Sequence, residues 1–284
     1  MSLRYLGLLD GFCSDMDELD LSREARSLKI RRIPRKELED FMFYRKPFFA
    51  SLDEEYRAAI DFGKKRYWID YHYEIGDSKQ VMIKAANAAQ EEMKGLILTL
   101  RLFKEGWVNI VFSIRKGTDI GTLTMPLGGF RSSERPYSLT GSELRDLQNW
   151  NKTFTSNQSV KTQRQASVRI ALSRFSDGYE RLKLEDKIID YMIGLEALYL
   201  QGERMGEASY KIAHRVSVLL AEDKKNRQQL FGETKKSYNL RSKIVHGDNY
   251  HLTPENVYFC EDILRRSIKR FLKKPKPNWL DLIF

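Results

Sequence analysis

Phe231-Gly232-Glu233-Thr234-Lys235-Lys236-Ser237-Tyr238-Asn239-Leu240-Arg241-Ser242-Lys243-Ile244-Val245-His246-Gly247 decides how the second half of this chain folds. With Tyr238 as the zero of a helical wheel at about 100° per residue, Phe231, Thr234 and Val245 lie within about 40° of it. Leu230, Leu240 and Ile244 widen that arc to one side, so the spacing predicts an amphipathic helix over 226–246. Gly247 is a good left-handed stop, which leaves the His246 imidazole at a helix C-terminus beside a turn. Arg241 falls inside the apolar arc. An inward guanidinium needs a partner to offset its lost hydration. Ser242 and His246 lie on the other shoulder.

A partner is available upstream. In the apolar run Ile188–Leu200, Ile189, Ile193 and Leu200 share one helical face, Glu196 falls in its middle, and Glu185 lies one turn before Ile189. The economical expectation is that Glu196 meets Arg241 or His246 inside a bundle. Asp186 and Asp190, four apart, share a neighbouring and more polar face. They support this site rather than form a metal pair, since no third ligand is at hand. A structural reading competes: Arg241 and Glu196 lock two helices together and His246 caps the helix end. The chemical reading rests on residue type. An imidazole titrates near working pH, and a guanidinium offers a planar fork to phosphate oxygens.

Further helices are expected near 142–153, 158–178, 181–202, 206–222 and 253–274. Thr140-Gly141-Ser142-Glu143 is a capping-box pattern, and Thr253-Pro254 places an N-cap hydroxyl before a proline at the first helical position. No β signal appears after about residue 142 until the last few residues. Earlier, Trp68–Ile75 is aromatic and β-branched and reads as a strand. Gly76-Asp77-Ser78 punctuates, a long helix follows from about Lys79 to Phe103, and Trp107–Ile114 reads as another strand. From Gly117 to Gly141, five glycines with Pro126 and Pro136 read as a strand or two wrapped in loops. The expected fold is α+β, with a mixed α/β domain over 1–150 and an all-α domain over 151–284, the boundary lying within 135–157.

The 284 residues are 42% hydrophobic, 31% charged and 12% aromatic, which supports buried cores under a charged surface. No stretch supplies the roughly 20 apolar residues of a membrane helix. The run Tyr5–Leu9 is followed at once by acids and does not read as a signal peptide. Cys13 and Cys260 are far apart, so a structural zinc site and a disulfide scaffold are both disfavoured, and a reducing, cytoplasmic home is expected. No phosphate-binding glycine loop, dinucleotide fingerprint or nucleophile elbow is present, and no cofactor or metal is expected. The net charge is +10, and residues 151–284 hold 25 Lys and Arg against 16 Asp and Glu. That excess favours a polyanion, with nucleic acid first.

Arg265-Arg266, Lys269-Arg270 and Lys273-Lys274 form a basic face over Ile268, Phe271 and Leu272. Arg215, Lys243, Arg266, Lys269 and Arg270 are the candidate RNA contacts. His72 reads as structural or surface, His214 as exposed, and His251 as near enough to join a cleft with His246. The tail Trp279–Phe284 is too apolar to float and should dock.

Arg241-Ser242-Lys243-Ile244-Val245-His246, an Arg-x4-His motif followed by Gly247, resembles the signature of HEPN domains. The wider stretch, about 158–275, is similar to the ApeA-like HEPN branch. Ser173-Arg174-Phe175 through Leu198, then Tyr210-Lys211-Ile212-Ala213-His214-Arg215-Val216, then Phe231 to Gly247 carry the resemblance. It implies a bundle of four to five helices that dimerises, so that two motifs face each other across one cleft. The implied activity is a metal-independent endoribonuclease. A ribose 2′-hydroxyl attacks the adjacent phosphate, leaving a 2′,3′-cyclic phosphate and a 5′-hydroxyl end. Carried onto this chain, His246 is the general acid or base, Arg241 clamps the phosphate and Glu196 orients one of them. Ser242 stands where many active members have Asn. The resemblance also implies phage defence or toxin-like RNA cleavage. The alternatives are a non-catalytic RNA- or protein-binding module, and a regulatory oligomer whose partner docks on the apolar tail.

Overall fold

The computed structural model describes residues 2–22, 26–34, 37, 67–74, 79–116, 123–124, 135–164, 166–201, 206–274 and 279. The chain divides into two compact units, Met1–Asn151 and Lys152–Phe284. The fold is mixed: an antiparallel sheet in the first unit and helices in the second.

The sheet of the first unit has six strands: β1 (Ser2–Asp10), β3 (Glu18–Asp20), β4 (Arg26–Arg32), β5 (Tyr67–Glu74), β6 (Asn109–Lys116) and β7 (Leu123–Thr124). They run in the order β3-β4-β5-β1-β6-β7, all pairs antiparallel. Strands β2 (Phe12–Ser14) and β8 (Tyr137–Leu139) form a separate parallel pair. The apolar run Tyr5–Leu9, noted above only for what it is not, is central strand β1. Tyr5, Leu6, Leu8 and Leu9 are all buried, so the strand reads as a continuous apolar run rather than an alternating one. Helix α1 (Lys79–Phe103) packs on the Gly7 side, where a Cβ would lie 3.3 Å from Met93 Sδ. Ala89, Met93, Leu96, Ile97 and Leu100, three to four apart, form its buried stripe. The expected strand at 107–114 is β6, displaced toward Lys116. Trp107 instead bridges Pro136. Most of the glycine-rich 117–134 segment lies outside the described residues.

A charged cluster sits on the same sheet. Asp70, 3% exposed, accepts from Arg4 Nε (2.8 Å) and Arg31 Nε (2.7 Å), and the Glu37 carboxylate takes both guanidinium groups at 2.6 Å. His72 Nε2 lies 3.0 Å from Asp70 Oδ1, a partly exposed position that matches the structural reading of this histidine. Burial alone would raise the Asp70 carboxyl, but the bonds from Arg4 and Arg31 outweigh it and hold it below its ordinary 3.8. A carboxyl depressed in the folded state stabilises fully above its unfolded pKa, and that stability is lost as pH falls through the lower folded value.

The second unit begins within α2 (Leu144–Arg164) and continues through α3 (Ala166–Glu180), α4 (Leu184–Tyr199), α5 (Ala208–Leu220), α6 (Lys224–His246) and α7 (Pro254–Lys273). One expectation fails at its start. The helix expected to end near 153 runs on to Arg164. The gap left at 154–157 between two expected helices is itself helical, and it holds no Gly or Pro to break the helix. Thr140 and Thr253 do begin their elements. Thr140 N–H donates to Glu143 (2.9 Å) ahead of a 3-10 turn over Gly141–Glu143, and Pro254 follows Thr253 at the first helical position.

Helix α4 is the hub and touches α3, α5, α6 and α7. Ile188, Tyr191, Met192, Leu195, Leu198 and Tyr199 are its buried apolar side chains. The expected stripe of Ile189 and Ile193 is only half-buried. Around the hub lie two aromatic groups: Phe175, Tyr179 and Tyr191, and Tyr199, Phe271 and Trp279. Trp279 therefore docks on its own unit, whereas 280–284 lie outside the described residues. The expected basic face of α7 is partly internal. Arg265 is 4% exposed and donates to Tyr179 Oη (3.0 Å) and to Glu261, so it belongs to the core.

Two outcomes follow for stability. Acid titration of the full chain, followed by far-UV circular dichroism, should show the stability of the sheet unit falling only below about pH 4, the ordinary carboxyl range, and Asp70→Asn should flatten that dependence. Gly178→Ala should destabilise the helical unit by about 1–3 kcal/mol in urea unfolding despite the better helix former, because overpacking exceeds the propensity gain. A Cβ there would sit 2.2 Å from a ring carbon of buried Tyr191.

Candidate functional site

Helix α6 is shaped at both ends by local signals. Asp223 accepts from Asn226 N–H (2.9 Å) at the start. At the other end Gly247 adopts φ 76°, and Asp248 N–H returns to the Lys243 carbonyl (3.0 Å), so the helix stops at His246. The inward face falls within the arc that the wheel marks out, on the side of Arg241. Thr234 and Ser237 are the buried residues of α6, and Val245 is 51% exposed. Ser237 meets buried Cys260 of α7, whose thiol burial pushes up to about 12.

Arg241 and Glu196 do meet. The Arg241 Nη2 to Glu196 Oε1 distance is 3.8 Å, within ion-pair range but too long for a hydrogen bond. Their side chains are 23% and 15% exposed. Glu196 Oε1 and Arg241 Nε are both buried without a hydrogen-bond partner. Buried polar atoms are nearly always satisfied, so these two unpaired atoms single the pair out as the candidate site. Tyr238 completes the cluster, with the Arg241 guanidinium 5.9 Å from the centre of its ring. Burial, then the neighbouring Glu196 carboxylate to which its hydroxyl is bonded, hold the Tyr238 phenol above its ordinary value. Tyr238 is absent from the expected site residues, although its position three before Arg241 was the available signal.

His246 does not join them. Five residues separate it from Arg241, about 140° around the helix. The imidazole is exposed and, among the described residues, forms no hydrogen bond or ion pair. Ser242 is half-buried and Lys243 exposed. The loop after His246 is held to the start of α4 by Tyr250 Oη, which donates to Glu185 (3.1 Å), and His251 lies exposed in that loop.

The remaining expected residues fall elsewhere. Asp190 is not on a polar face. It is buried and accepts from Arg174 (2.8 Å) and Arg181 (2.7 Å), tying α4 to α3 and the turn that joins them. Asp186 is exposed. Arg215 is engaged internally, donating to the Tyr199 carbonyl and lying 4.9 Å from the Trp279 ring. Arg266 donates to the Leu220 carbonyl (2.8 Å) and pairs with Asp262 (3.4 Å). Lys269 is half-buried, and burial, then the Lys273 and Arg265 charges, hold its amine below the ordinary lysine value. Arg270 is half-buried as well. His214 is half-buried rather than exposed, stacked on Tyr210 with ring centroids 6.0 Å apart. Among the described residues no group of three His, Cys, Asp or Glu side chains is placed to hold a metal ion, and no helix is long and apolar enough to cross a membrane.

Compared with protein-family models, curated proteins and solved structures, the chain matches none.

The geometry separates the two key side chains by stability. Glu196→Ala leaves the Arg241 charge without its counter-ion and should cost about 1–3 kcal/mol in urea unfolding, below the full cost of breaking a buried pair because both groups keep some solvent. His246→Ala removes an exposed side chain without partners and should change stability by no more than about 0.5 kcal/mol.

Proposed function

We propose that the helical unit is a metal-independent endoribonuclease of the HEPN type, working as a homodimer in the cytoplasm. The observation that carries this reading is the loose pair at α6. Arg241 is held at 3.8 Å by Glu196 but not consumed by it, five residues before an exposed, uncommitted imidazole at the helix end. A guanidinium locked by two short bonds would serve structure alone. One kept in place at longer range still has donors for a phosphate oxygen.

In the proposed reaction the ribose 2′-oxygen bonds to the adjacent phosphorus and the bond from phosphorus to the 5′-oxygen breaks. The 2′-hydroxyl proton passes to one imidazole and the 5′-oxygen leaves with a proton from another. Each chain offers one His246, so two copies supply both roles. Arg241 neutralises the charge that builds on the phosphoryl oxygens, and Glu196 with Tyr238 fixes its orientation. Ser242 keeps a hydroxyl donor beside Arg241 with a shorter reach than the Asn of many HEPN members. The resemblance supplies the biological setting, phage defence or toxin-like RNA cleavage. A second reading, a non-catalytic RNA- or protein-binding module, is favoured by one fact: Arg241 faces Glu196 and not His246.

Incubation of the full chain with total RNA or tRNA in EDTA tests the assignment. Cleavage should proceed, with products ending in 2′,3′-cyclic phosphate. His246→Ala should slow it by about 10²–10⁴, the usual weight of general acid–base catalysis, while leaving the fold unchanged. Arg241→Lys should lose most activity because the planar fork is gone. Equal cleavage by wild type and His246→Ala, or none by either, overturns the catalytic assignment in favour of the binding module.

A further inference from the structure

Helix α6 carries seven lysines and arginines against a single acid, Glu233. Its solvent side is more selective still. Lys225, Gln228, Gln229, Lys236, Asn239 and Lys243 are all exposed. They fall within about 60° of one line along the helix, at 100° per residue. Gly232 lies on the same line, and a Cβ there would meet nothing within 4 Å. The stripe runs away from buried Thr234 and Ser237 and ends at His246. Its length, from residue 225 to residue 246, is about 31 Å at 1.5 Å per residue.

Helix stability does not call for this pattern. Lys224 and Lys225 occupy a first turn that has no acid, where the helix dipole disfavours cations. A surface tuned for stability would interleave acids at i,i+4. Glu233 is the one acid, and it pairs at 3.1 Å with Lys236, whose side chain is 77% exposed, a solvated contact that a phosphate can displace.

We infer that this stripe is a track for the backbone of an RNA stem, which presents an adjoining unpaired segment to His246. Three lysines on one line meet phosphates. The amides of Gln228, Gln229 and Asn239 suit phosphate oxygens and ribose 2′-hydroxyls, which both accept and donate. A-form RNA displays those hydroxyls across a wide, shallow minor groove and is read there by shape. Proteins that hold single strands use exposed aromatic platforms for base stacking, and the stripe has no aromatic residue. Recognition is therefore by backbone and independent of sequence. The unpaired segment is where a 2′-hydroxyl is free to align with its phosphate. The part of the inference at His246 rests on the ribonuclease reading; the track itself does not.

Binding by the full-length His246→Ala protein tests the track without cleavage. The probes are an RNA hairpin, an unstructured RNA strand of equal length and a DNA hairpin of the same sequence, followed by fluorescence anisotropy across a salt series. The RNA hairpin should bind about tenfold or more tighter than either other probe. Lys225→Ala, Lys236→Ala and Lys243→Ala should each weaken hairpin binding and lower the slope of log K against log salt by about one. Lys225→Glu/Lys236→Glu/Lys243→Glu should abolish the preference while circular dichroism stays unchanged. Hairpin binding unaffected by the triple change overturns the track. So does equal or tighter binding of the single strand, or of the DNA hairpin. Failure of wild-type cleavage with hairpin binding intact counts against the ribonuclease reading alone.

Discussion

Helix α4 is apolar around most of its circumference, so most of it must be covered, and the rest of the helical unit is arranged to cover it. Helices α3, α5, α6 and α7 each contact it. The two carboxylates it carries inward then have to find cations, because a buried unpaired charge costs several kcal/mol. Asp190 is satisfied fully, by hydrogen bonds from Arg174 and Arg181. Glu196 is satisfied loosely, by Arg241 at ion-pair distance and by the Tyr238 hydroxyl. The difference between them separates a structural tie from a candidate site. Close bonds hold a joint between helices, and a loose pair leaves donors over.

Helix α6 divides its labour by face. Its inner side meets the bundle through Thr234 and Ser237, the latter beside Cys260 of α7. The same inner side holds Tyr238 and Arg241 by Glu196 of α4. The opposite side is cationic and solvated, and leads to His246. The same helix can thus orient a phosphate-binding group and present a surface to a polyanion, since the faces lie roughly half a turn apart. Arg215, Arg265 and Arg266 show the other use of positive charge in this unit. They bond to backbone carbonyls, a tyrosine hydroxyl or carboxylates, and hold helix ends and the docked Trp279.

Periodicity was informative where one principle governed. That Glu196 meets Arg241 or His246 followed from charges centred on apolar faces, and the structure selects Arg241. The stop at Gly247 followed from the need for positive φ. The long helix Lys79–Phe103 and the strand through Trp68 were read from composition and punctuation. Reading failed where a second influence prevailed. The gap left at 154–157 lacked a breaker and is helical. Val245 looked inward and shares a side of α6 with buried Thr234, yet it lies at the end of the helix and is exposed. Asp190 looked solvated because its partners, Arg174 and Arg181, stand on another helix and in a turn.

The sequence by itself determined the division into a sheet-bearing first half and a helical second half, the ends of α6 and α7, and an inward Glu196 in need of Arg241 or His246. Each of these depends on local rules: helical period, caps, turn chemistry and the cost of an unpaired charge. Only the tertiary structure decided which arginines are consumed. Arg215 and Arg265 look as available as Lys225 or Lys236 along the chain, but Arg215 is engaged by the Tyr199 carbonyl and Trp279, and Arg265 is buried against Tyr179 and Glu261. It also decided that Tyr238 joins the pair and that His246 stands apart from it, because both depend on how α6 is rotated against α4. That rotation is set by the sizes of the side chains between the two helices, which no single-helix pattern contains.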